Sequence, residues 1–562
     1  MPISSSLANG SSAKPEVLIV GTGTTGLYLA LALKSSGITP RIIDKLTRPA
    51  YGHKGSALWP RTLEIIESFG FIDHVLEKAM FPYPVCRYKT GTMEPASPNF
   101  NMFPKQESPD CVFKEPRFLG QNVHQTLVIS SVFSQRGLMV ERGVELIALE
   151  QFEDHVAVKL RHIAEGTIEE TRFKYIVGCD GAKGLVRKYI GLDFIGESRL
   201  QRFAVGDLRL SPKSTFPHDT WHVWGSMGDV SLILRPSDTS REFALQVGGA
   251  HFAKYPEIFE SLQSLRKFLA KMTGTNIFDE AEFPFMGPYN VNIRMTKTFS
   301  QGRVFLAGDA CHLHTPSGGQ GLNTGIQDSY NLGWKLALAV KGLAHPALLT
   351  SYEAERIPVV SAMLQLTTSV WNLGTQNSTA DAMADVQNHQ EFHQLGVNYR
   401  GSEWVIDDEI DRDKDAKDVS PYGGDVKGRI YAGDRAPNVS GLREFKDSEE
   451  IIRMFKLFDA GHHTVLVFAD GLEVPSFDSM FHKLTSDIVR FVVIYQAGVF
   501  TKGINHRKGW TLVEDVEGSA HQSYQITSDG PKLFVIRPDG YIGARVHTAE
   551  RVEEYFKVII HM

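Results

Sequence analysis

Two glycine-rich turns, each placed between a buried strand and a helix, constrain the fold of this chain more than any other feature. The first is Gly21-Thr-Gly23-Thr-Thr-Gly26, which follows the apolar run at 17–20 and precedes a helix predicted over 27–34. Glycines at this spacing let the backbone turn tightly and approach a pyrophosphate, whose charge lies at the N-terminus of the helix. The pattern predicts a dinucleotide-binding βαβ unit. A glycine-rich turn in an unrelated Rossmann-like fold is the alternative.

A carboxylate follows this turn at the distance expected for ribose recognition. Asp44 ends the second predicted strand, 41–44, within the interval of about 20 residues at which an acid bonds a ribose hydroxyl. A carboxylate here repels a 2′-phosphate, so the site is expected to hold FAD or NAD rather than NADP. The same site is expected to include the residues next to the glycines and to Asp44, namely Thr24, Thr25 and Lys45.

The second turn lies about 290 residues further along the chain. Gly308-Asp309 ends a buried strand, and Pro316 opens a run that leads through Gly319 to the helix predicted from Gln320. One extended dinucleotide running between the two turns is the economical explanation. Asp309 would bond the ribityl chain of a flavin. The helix start would point its amides at the ring, where they stabilise negative charge.

Two further features of the sequence allow other interpretations. His312 and His314 could indicate a metal site, but the glycine-rich context and the lack of a third acidic ligand beyond Asp309 disfavour it. A third buried strand, which begins near Tyr175, ends in Asp180-Gly181, and this pattern alone is an ordinary exit from a strand into a turn.

Composition excludes several classes of protein. Of 562 residues, 42% are hydrophobic and 22% charged, which is ordinary globular usage and excludes a disordered or fibrous chain. Lys plus Arg number 59 against 65 Asp plus Glu, so nucleic acid is a poor partner. Four cysteines form no CxxC pair, which indicates a reducing, cytoplasmic compartment. The uncharged segment 17–33 holds three glycines, so we expect no membrane span there.

The pattern of predicted elements divides the chain into units of an α/β protein. A Rossmann-like domain is expected to be interleaved with an antiparallel-sheet domain and followed by a further α/β domain. The expected boundaries are a disordered leader at 1–14, the first part of the nucleotide domain at 15–200, the antiparallel domain at 201–295, the second nucleotide part with helices at 296–395, a linker that wraps rather than packs at 396–430, and the C-terminal domain at 431–562.

Together these motifs resemble the class A flavoprotein aromatic monooxygenases of the p-hydroxybenzoate hydroxylase type, and most closely the phenol hydroxylase branch. The stretch 303–325, its continuation at 328–335 and the segment 351–358 carry the resemblance, which extends over nearly the whole chain. It implies that 431–562 is thioredoxin-like. Because all four cysteines precede residue 312, that domain cannot perform dithiol chemistry, and a role in subunit contacts, as in a homodimer, is the expectation.

The resemblance also implies which residues bind FAD, with Asp180-Gly181 serving both FAD and NAD(P)H and Pro316 lying beside the reactive carbon of the flavin. The implied cofactor-binding residues are Gly21, Gly23, Thr24, Thr25, Gly26, Asp44, Lys45, Lys54, Gly55, Ser56, Gln121, Asp180, Gly181, Gly308, Asp309, Pro316, Gly319, Gln320, Gly321, Leu322 and Asn323.

Two positions depart from the family pattern. Lys54 stands where the family usually has Arg, and Lys cannot make a bidentate phosphate contact. Ser56 stands where phenol hydroxylase carries a catalytic Asp, which makes simple phenol a doubtful substrate. A different group must then help to remove the phenolic proton, and no catalytic base is assigned.

The expected function is that of an FAD-dependent monooxygenase that consumes NADPH or NADH and O2. It would hydroxylate a phenolic or polyketide-type aromatic substrate through a flavin C4a-hydroperoxide, as the resemblance implies. Trp221, Trp224 and Tyr289 of the antiparallel sheet are candidate pocket residues, although each could be plain core. The alternatives are a Baeyer–Villiger, epoxidising or dearomatising flavin monooxygenase, and a non-catalytic binding protein with an FAD fold.

Overall fold

The fold is described from a computed structural model of the chain. The leader at 1–14, Lys54 and much of the expected linker lie outside the described residues. The described residues are 15–49, 52, 55–103, 105, 109–376, 389–410, 420–422, 428–445, 450–469, 474–477, 486–499, 509–530 and 532–561.

In chain order the strands are β1 Val17–Val20, β2 Arg41–Asp44, β3 Ala57–Leu58, β4 Val85–Tyr88, β5 Arg117–Phe118, β6 Glu141–Arg142, β7 Val144–Gln151, β8 Val156–His162, β9 Thr167–Phe173, β10 Tyr175–Gly178, β11 Ile195–Arg209, β12 Trp221–Gly225, β13 Ser231–Pro236, β14 Glu242–Gly248, β15 Glu282–Met295, β16 Ser300–Gln301, β17 Val304–Leu306, β18 His312–Leu313, β19 Ile406–Asp407, β20 Leu442–Glu444, β21 Ile451–Ile452, β22 His463–Phe468, β23 Val489–Gln496, β24 Trp510–Asp515, β25 Leu533–Ile536 and β26 Ile542–Val546. The α-helices are α1 Thr24–Ser35, α2 Pro60–Ser68, α3 Ile72–Lys78, α4 Gln121–Leu127, α5 Ser134–Arg136, α6 Val186–Tyr189, α7 Leu262–Thr273, α8 Gly321–Val340, α9 Thr350–Gln376, α10 Ser519–Ser523 and α11 Ala549–Ile559.

A largely parallel sheet forms the first layer, in the order β16-β17-β10-β1-β2-β6. All four residues of β1 are buried, as an apolar run between two parallel neighbours requires. Helices α1 and α8 cross beside this sheet at very short range, because a Cβ placed on Gly333 would lie 2.3 Å from the Cβ of Ala32. The predicted α/β fold is confirmed.

An antiparallel sheet follows the first nucleotide part, in the order β18-β15-β11-β14-β13-β12-β4, with only the β12–β4 pair parallel. The long strands β11 and β15 pair along most of their length, with a register shift between Ser198 and Arg202. Strand β18 joins this sheet directly after the second glycine-rich turn begins. The sheet therefore reaches the nucleotide layer at that turn.

The C-terminal region forms a mixed sheet in the order β19-β26-β25-β22-β23-β24-β20-β21. Both of its faces are buried, since Val465 belongs to one apolar cluster and Leu466 to another. Trp334 and Leu338 of α8 pack into the first of these clusters. The description of this domain as thioredoxin-like stays a prediction.

Buried ion pairs join the C-terminal region to the nucleotide layer. Glu355 of α9 accepts hydrogen bonds from Lys335 at 2.7 Å and from Arg537 at 2.8 Å, and all three side chains are almost completely buried. Arg435 pairs in the same way with Glu64 of α2 at 3.1 Å. Removing one partner of such a pair would leave an uncompensated buried charge, so the two regions are expected to stay associated.

Two sequence predictions are wrong in detail. The helical spacing of apolar residues from Leu63 to Ile72 predicts one amphipathic helix over 59–78. That helix is broken into α2 and α3, because Gly70 adopts φ +76° and ends the first helix. The expected linker at 396–430 packs where it is described, since Val397 and Tyr399 are buried in the main core. The segment is polar overall, so its few buried apolar residues could not be recognised from composition. Among the described residues, no helix combines the length and apolar character needed to cross a membrane.

Candidate functional site

The three glycines of the first turn have different tasks. A Cβ on Gly21 would lie 2.4 Å from the carbonyl oxygen of Cys179, and one on Gly26 would lie 2.1 Å from that of Gly21. A Cβ on Gly23 would meet nothing within 4 Å. Gly21 and Gly26 therefore allow the strand and helix to pack closely, whereas Gly23 faces open space at the start of α1, where backbone amides are available to an anion.

A cleft of about 310 Å³ extends from this turn. Seven of the predicted site residues line this cleft: Gly21, Gly23, Asp44, Lys45, Gln121, Asp180 and Gly181. The cleft is also lined by Asn122, Gln125 and Arg142, which the sequence analysis missed because no local motif marks them.

Two carboxylates at strand ends shape this cleft. Asp44 accepts hydrogen bonds from the backbone amides of Thr22 at 3.0 Å and Leu46 at 2.9 Å. Asp180 accepts from the amides of Leu185 at 2.6 Å and Val186 at 3.1 Å, and burial raises its pKa. Both side chains therefore fix turns of the cleft wall as well as lining it.

Asp328 holds the second turn from behind. Its carboxylate accepts a hydrogen bond from the amide of Gly308 at 3.0 Å and from Arg356 at 2.8 Å, and it lies 2.7 Å from Nε2 of His312. All of these side chains are buried. Burial alone would raise the pKa of Asp328, but His312 and Arg356 hold it at about 2. This buried cluster fixes the turn that contains Asp309, and Asp309 itself is exposed.

Gln320 and Asn323 clamp the start of α8. Asn323 donates to the carbonyl oxygens of Ala57 and Gly319 at 2.9 Å and accepts from the amide of Trp59 at 3.0 Å. Gln320 donates to the carbonyl of Gly318 at 2.9 Å. These side chains bind the protein itself, so the turn would meet a ligand through its backbone.

Packing brings the two turns together in space. A Cβ on Gly308 would lie 2.5 Å from Oγ1 of Thr25, and the Ser329 hydroxyl donates to the Thr25 carbonyl at 2.7 Å. Thr25 therefore belongs to the helix crossing. Gly55 lies between helices α4 and α8, because a Cβ at this position would lie 3.7 Å from the side chains of both Gln121 and Leu322. Thr24 is buried and accepts from Gln125 at 3.3 Å.

The two glycine-rich turns thus lie side by side, and each is followed by the N-terminus of a helix, an arrangement that suits one extended dinucleotide. The family described as "FAD binding domain" matches residues 14–367 of the sequence. The chain belongs to this FAD-binding family.

Relatives match over almost the full length. A flavin-dependent monooxygenase of Mycobacteroides abscessus is 27% identical over 572 residues, covering 97% of this chain and 100% of that protein. Pentachlorophenol 4-monooxygenase of Sphingobium chlorophenolicum is 27% identical over 554 residues, covering 96% and 95%. The solved structure of the flavin-dependent monooxygenase PieE in complex with FAD and substrate has a TM-score of 0.77 at 21% identity, covering 96% of this chain and 97% of that one. The last comparison shows a shared fold.

The residues present fit FAD. The open amides at Gly23 suit a pyrophosphate, Asp44 suits a ribose, and the N-terminus of α8 at Gly321 offers amides to a flavin ring. The tight packing of Gly321 supports this backbone role, since a Cβ there would lie 2.4 Å from Nε2 of His314. Pro316 precedes this turn, and its carbonyl accepts from the amide of Gly319 at 3.2 Å.

The three pocket candidates fall in different places. Trp224 is fully buried, stacks on Tyr88 and donates its indole N–H to the carbonyl of Thr92, which are the contacts of a core residue. Tyr289 is half-buried, and burial together with the nearby Asp309 raises its pKa to about 12. Trp221 is half-buried among aromatic rings beside the second turn.

Those rings form an aromatic wall, which is defined by Trp59, Phe103, Phe118, Trp221 and Phe392. Neighbouring rings in it lie 5.2 to 6.1 Å apart, as between Phe103 and Phe118 and between Trp59 and Phe392. The wall contacts the second glycine-rich turn directly, because the Trp59 indole donates to the carbonyl of Gly318 at 2.8 Å. Apolar rings therefore lie beside the start of α8.

The histidines of the second turn diverge. His314 lies against Gly321, whereas His312 bonds Asp328. Potential ligand atoms of Cys311, His312 and Asp328 do come within 4.8 Å of one another. Asp328 already accepts from Gly308 and Arg356, and the positive charge of Arg356 opposes a second cation there.

Proposed function

We propose that the chain is an FAD-dependent monooxygenase that hydroxylates a phenolic or polyketide-type aromatic substrate, with NADPH or NADH as reductant and O2 as the oxygen source. The observation that carries this proposal is the aromatic wall placed directly against the flavin turn, through the Trp59–Gly318 hydrogen bond. The names of the relatives, which include a pentachlorophenol monooxygenase, support an aromatic substrate.

The FAD would be held along its length by different parts of the chain. The amides at the start of α1 and Asp44 would bind the pyrophosphate and the adenosine ribose, and Asp309 would bind the ribityl chain. FAD, when bound, supplies electron transfer and oxygen activation. The aromatic wall excludes water beside it, and a dry pocket prevents side reactions of reactive intermediates.

Ser56 cannot act as a carboxylate base. Its Oγ accepts a hydrogen bond from Arg235, so it is already oriented by a cation. Deprotonating a phenol raises the nucleophilicity of its ring, and a cation stabilises the resulting phenolate. Residues around Ser56 can therefore favour the reactive form of a phenol without accepting its proton.

The cellular setting and assembly belong to the proposal too. All four cysteines are buried and free, which supports a reducing, cytoplasmic environment. A homodimer through the C-terminal domain remains a prediction.

The test is an oxidation screen of NADH and NADPH with phenolic acids, resorcinols and polyketide-type phenols. Products are analysed by mass spectrometry under ¹⁸O₂. We expect bound FAD, slow oxidation alone, stimulation by the true substrate and one labelled oxygen atom in the product. The position of that atom separates ring hydroxylation from Baeyer–Villiger or epoxide products. A protein that binds FMN, or a product oxygen that comes from water, would contradict the proposal.

A further inference from the structure

Arg235 is a cation in the antiparallel sheet with unusually few partners. It lies on β13, and its guanidinium is 5.9 Å from the ring centre of Phe118 and 5.7 Å from that of Trp221. One of its terminal nitrogens donates to Oγ of Ser56. Within the part of the chain that the structure describes, this is the one hydrogen bond of its side chain, and no carboxylate lies within ion-pair distance.

The position of Ser56 places this cation at the flavin end of the FAD site. Ser56 directly precedes β3, whose residue Ala57 offers its backbone carbonyl to Asn323 at 2.9 Å. A Cβ on Gly319 would lie 3.6 Å from the Cβ of Ala57. Arg235 thus lies where the aromatic wall, the antiparallel sheet and the second turn meet.

The chemistry of the group is that of an incomplete anion site. A guanidinium carries five N–H donors in a planar fork that matches an oxyanion, and one hydroxyl satisfies only one donor. Burial lowers the pKa of Arg235 to about 10, although the carboxylates of Asp207 and Asp238 oppose this, so the side chain stays charged at neutral pH. Trp221, which is only half-buried, offers an aromatic ligand a stacking surface beside the guanidinium.

We propose that Arg235, together with Ser56, binds an anionic oxygen carried by the aromatic substrate, either a phenolate or a ring carboxylate. The inference rests on the proposed function, since it assigns a specificity-determining residue to that reaction. With a phenol, binding releases the proton to solvent and the phenolate pairs with the guanidinium. The positive charge of Arg235 thereby favours the phenolate, although Ser56 cannot accept the phenolic proton as a base. A purely structural Arg235 would only brace Phe118 and Trp221.

The experiment measures ligand ionisation and needs no turnover, so it is independent of whether the monooxygenase assignment holds. FAD-loaded protein is titrated with 4-nitrophenol, whose phenolate is coloured, and with 4-nitrobenzoate, across pH. We expect bound 4-nitrophenol to ionise about one to two pH units lower than free ligand. Arg235→Gln should abolish this shift and weaken binding of the anion by about tenfold to a hundredfold. Arg235→Lys should retain part of both effects.

Arg209→Gln is the matched control, because Arg209 lies on the neighbouring strand β11 and pairs with Glu242 and Glu282. It should leave ligand ionisation unchanged. If 4-nitrophenol binding requires Arg235, the site binds a phenolate. If only 4-nitrobenzoate binding requires Arg235, the site binds a carboxylate. If the Arg235 variants bind both probes as the parent does, or if the FAD-loaded parent binds neither, the inference is overturned.

Discussion

The two glycine-rich turns perform comparable tasks and are built in opposite ways. The first turn is held mainly by backbone packing, since Gly21 and Gly26 lie against the carbonyl oxygens of Cys179 and of Gly21 itself, and the Asp44 carboxylate adds a bond to the amide of Thr22. The second is held by buried side chains, with Asp328 on Gly308 and Asn323 on Gly319. A local motif of about six residues is sufficient for the first. The second needs partners from distant parts of the chain.

The difference links the flavin end of the site to the C-terminal region. Arg356, which bonds Asp328, also donates to the hydroxyl of Tyr399 at 3.2 Å, and Tyr399 packs 4.3 Å from the ring of Tyr541. Tyr422 donates to Gln320 at 2.6 Å. The first turn is therefore held by the ends of the neighbouring strands β2 and β10, whereas the second turn is coupled to side chains from the C-terminal part of the chain.

The largest effect should follow from Asp328→Asn. The change leaves Arg356 buried without its carboxylate, and breaking such a pair costs about 3–5 kcal/mol. We expect a large loss in the free energy of unfolding and weak FAD retention, measured by urea unfolding and flavin content. Asp193→Asn, which changes an exposed carboxylate between α6 and β11, is the control and should leave unfolding nearly unchanged.

The same group gives a pH dependence with a definite sign. The pKa of Asp328 is about 2 in the folded chain against an ordinary 3.8. Its contribution to stability is therefore fully present above the ordinary value and is lost as the pH falls towards 2. An acid transition that is identical in the parent and in Asp328→Asn would show that the cluster does not hold the second turn.

The next largest effect is a loss of FAD affinity without a loss of folding. Asp309→Ala should weaken FAD by at least about tenfold, because hydrogen bonds to charged groups are among the strong ones. The C-terminal domain should stay folded, since Asp309 is exposed and lies outside the buried clusters. Flavin titration with far-UV circular dichroism checks both points. Unchanged flavin affinity would mean that the ribityl site lies elsewhere.

The sequence predicted what local signals encode. The buried strand β1, the glycine spacing and the following helix each leave a pattern within a few residues, and the structure reproduces them. The break at Gly70 was missed because the apolar spacing continues through it, and only its positive φ ends α2. The contacts of Gln320 and Asn323 with a ligand stay a prediction, and because their side chains bind Gly318 and Ala57, the backbone would make them.

Other features could not be predicted from the sequence. Asp328 and Arg356 lie 28 positions apart on different helices, and Arg235 lies 179 positions from Ser56. An isolated arginine in a strand looks like any solvated charge, and only the folded chain shows that it lies between aromatic rings. The site was predictable where backbone alone forms it and unpredictable where long-range side-chain pairs do.

A smaller effect separates the glycines of the first turn. Gly26→Ala should destabilise the protein by about 1–3 kcal/mol, the usual cost of overpacking, since its Cβ would collide with the Gly21 carbonyl. Gly23→Ala is the matched variant, with open space around its Cβ, and should change the free energy of unfolding by less than about 1 kcal/mol. Its FAD affinity should nevertheless fall. Equal destabilisation by both changes would remove the distinction between packing and ligand-facing glycines.

The smallest effect tests the coupling of the second turn to distant segments. Burial raises the pKa of Tyr422, so its hydroxyl stays protonated and donates to Oε1 of Gln320. Tyr422→Phe removes that bond, and a neutral hydrogen bond contributes about 0.5–1.5 kcal/mol. We expect FAD affinity to fall about two- to tenfold.

Tyr524→Phe is the control for this last change. The Tyr524 hydroxyl is also buried and donates to the carbonyl of Pro437 at 3.3 Å, within the C-terminal apolar cluster. It should reduce stability by a similar amount and leave flavin binding unchanged, as measured by thermal unfolding and fluorescence titration. If both variants weaken FAD equally, the second turn responds to global stability alone. If only Tyr422→Phe does, the side-chain clamp on Gln320 transmits the packing of distant segments to the flavin end of the site.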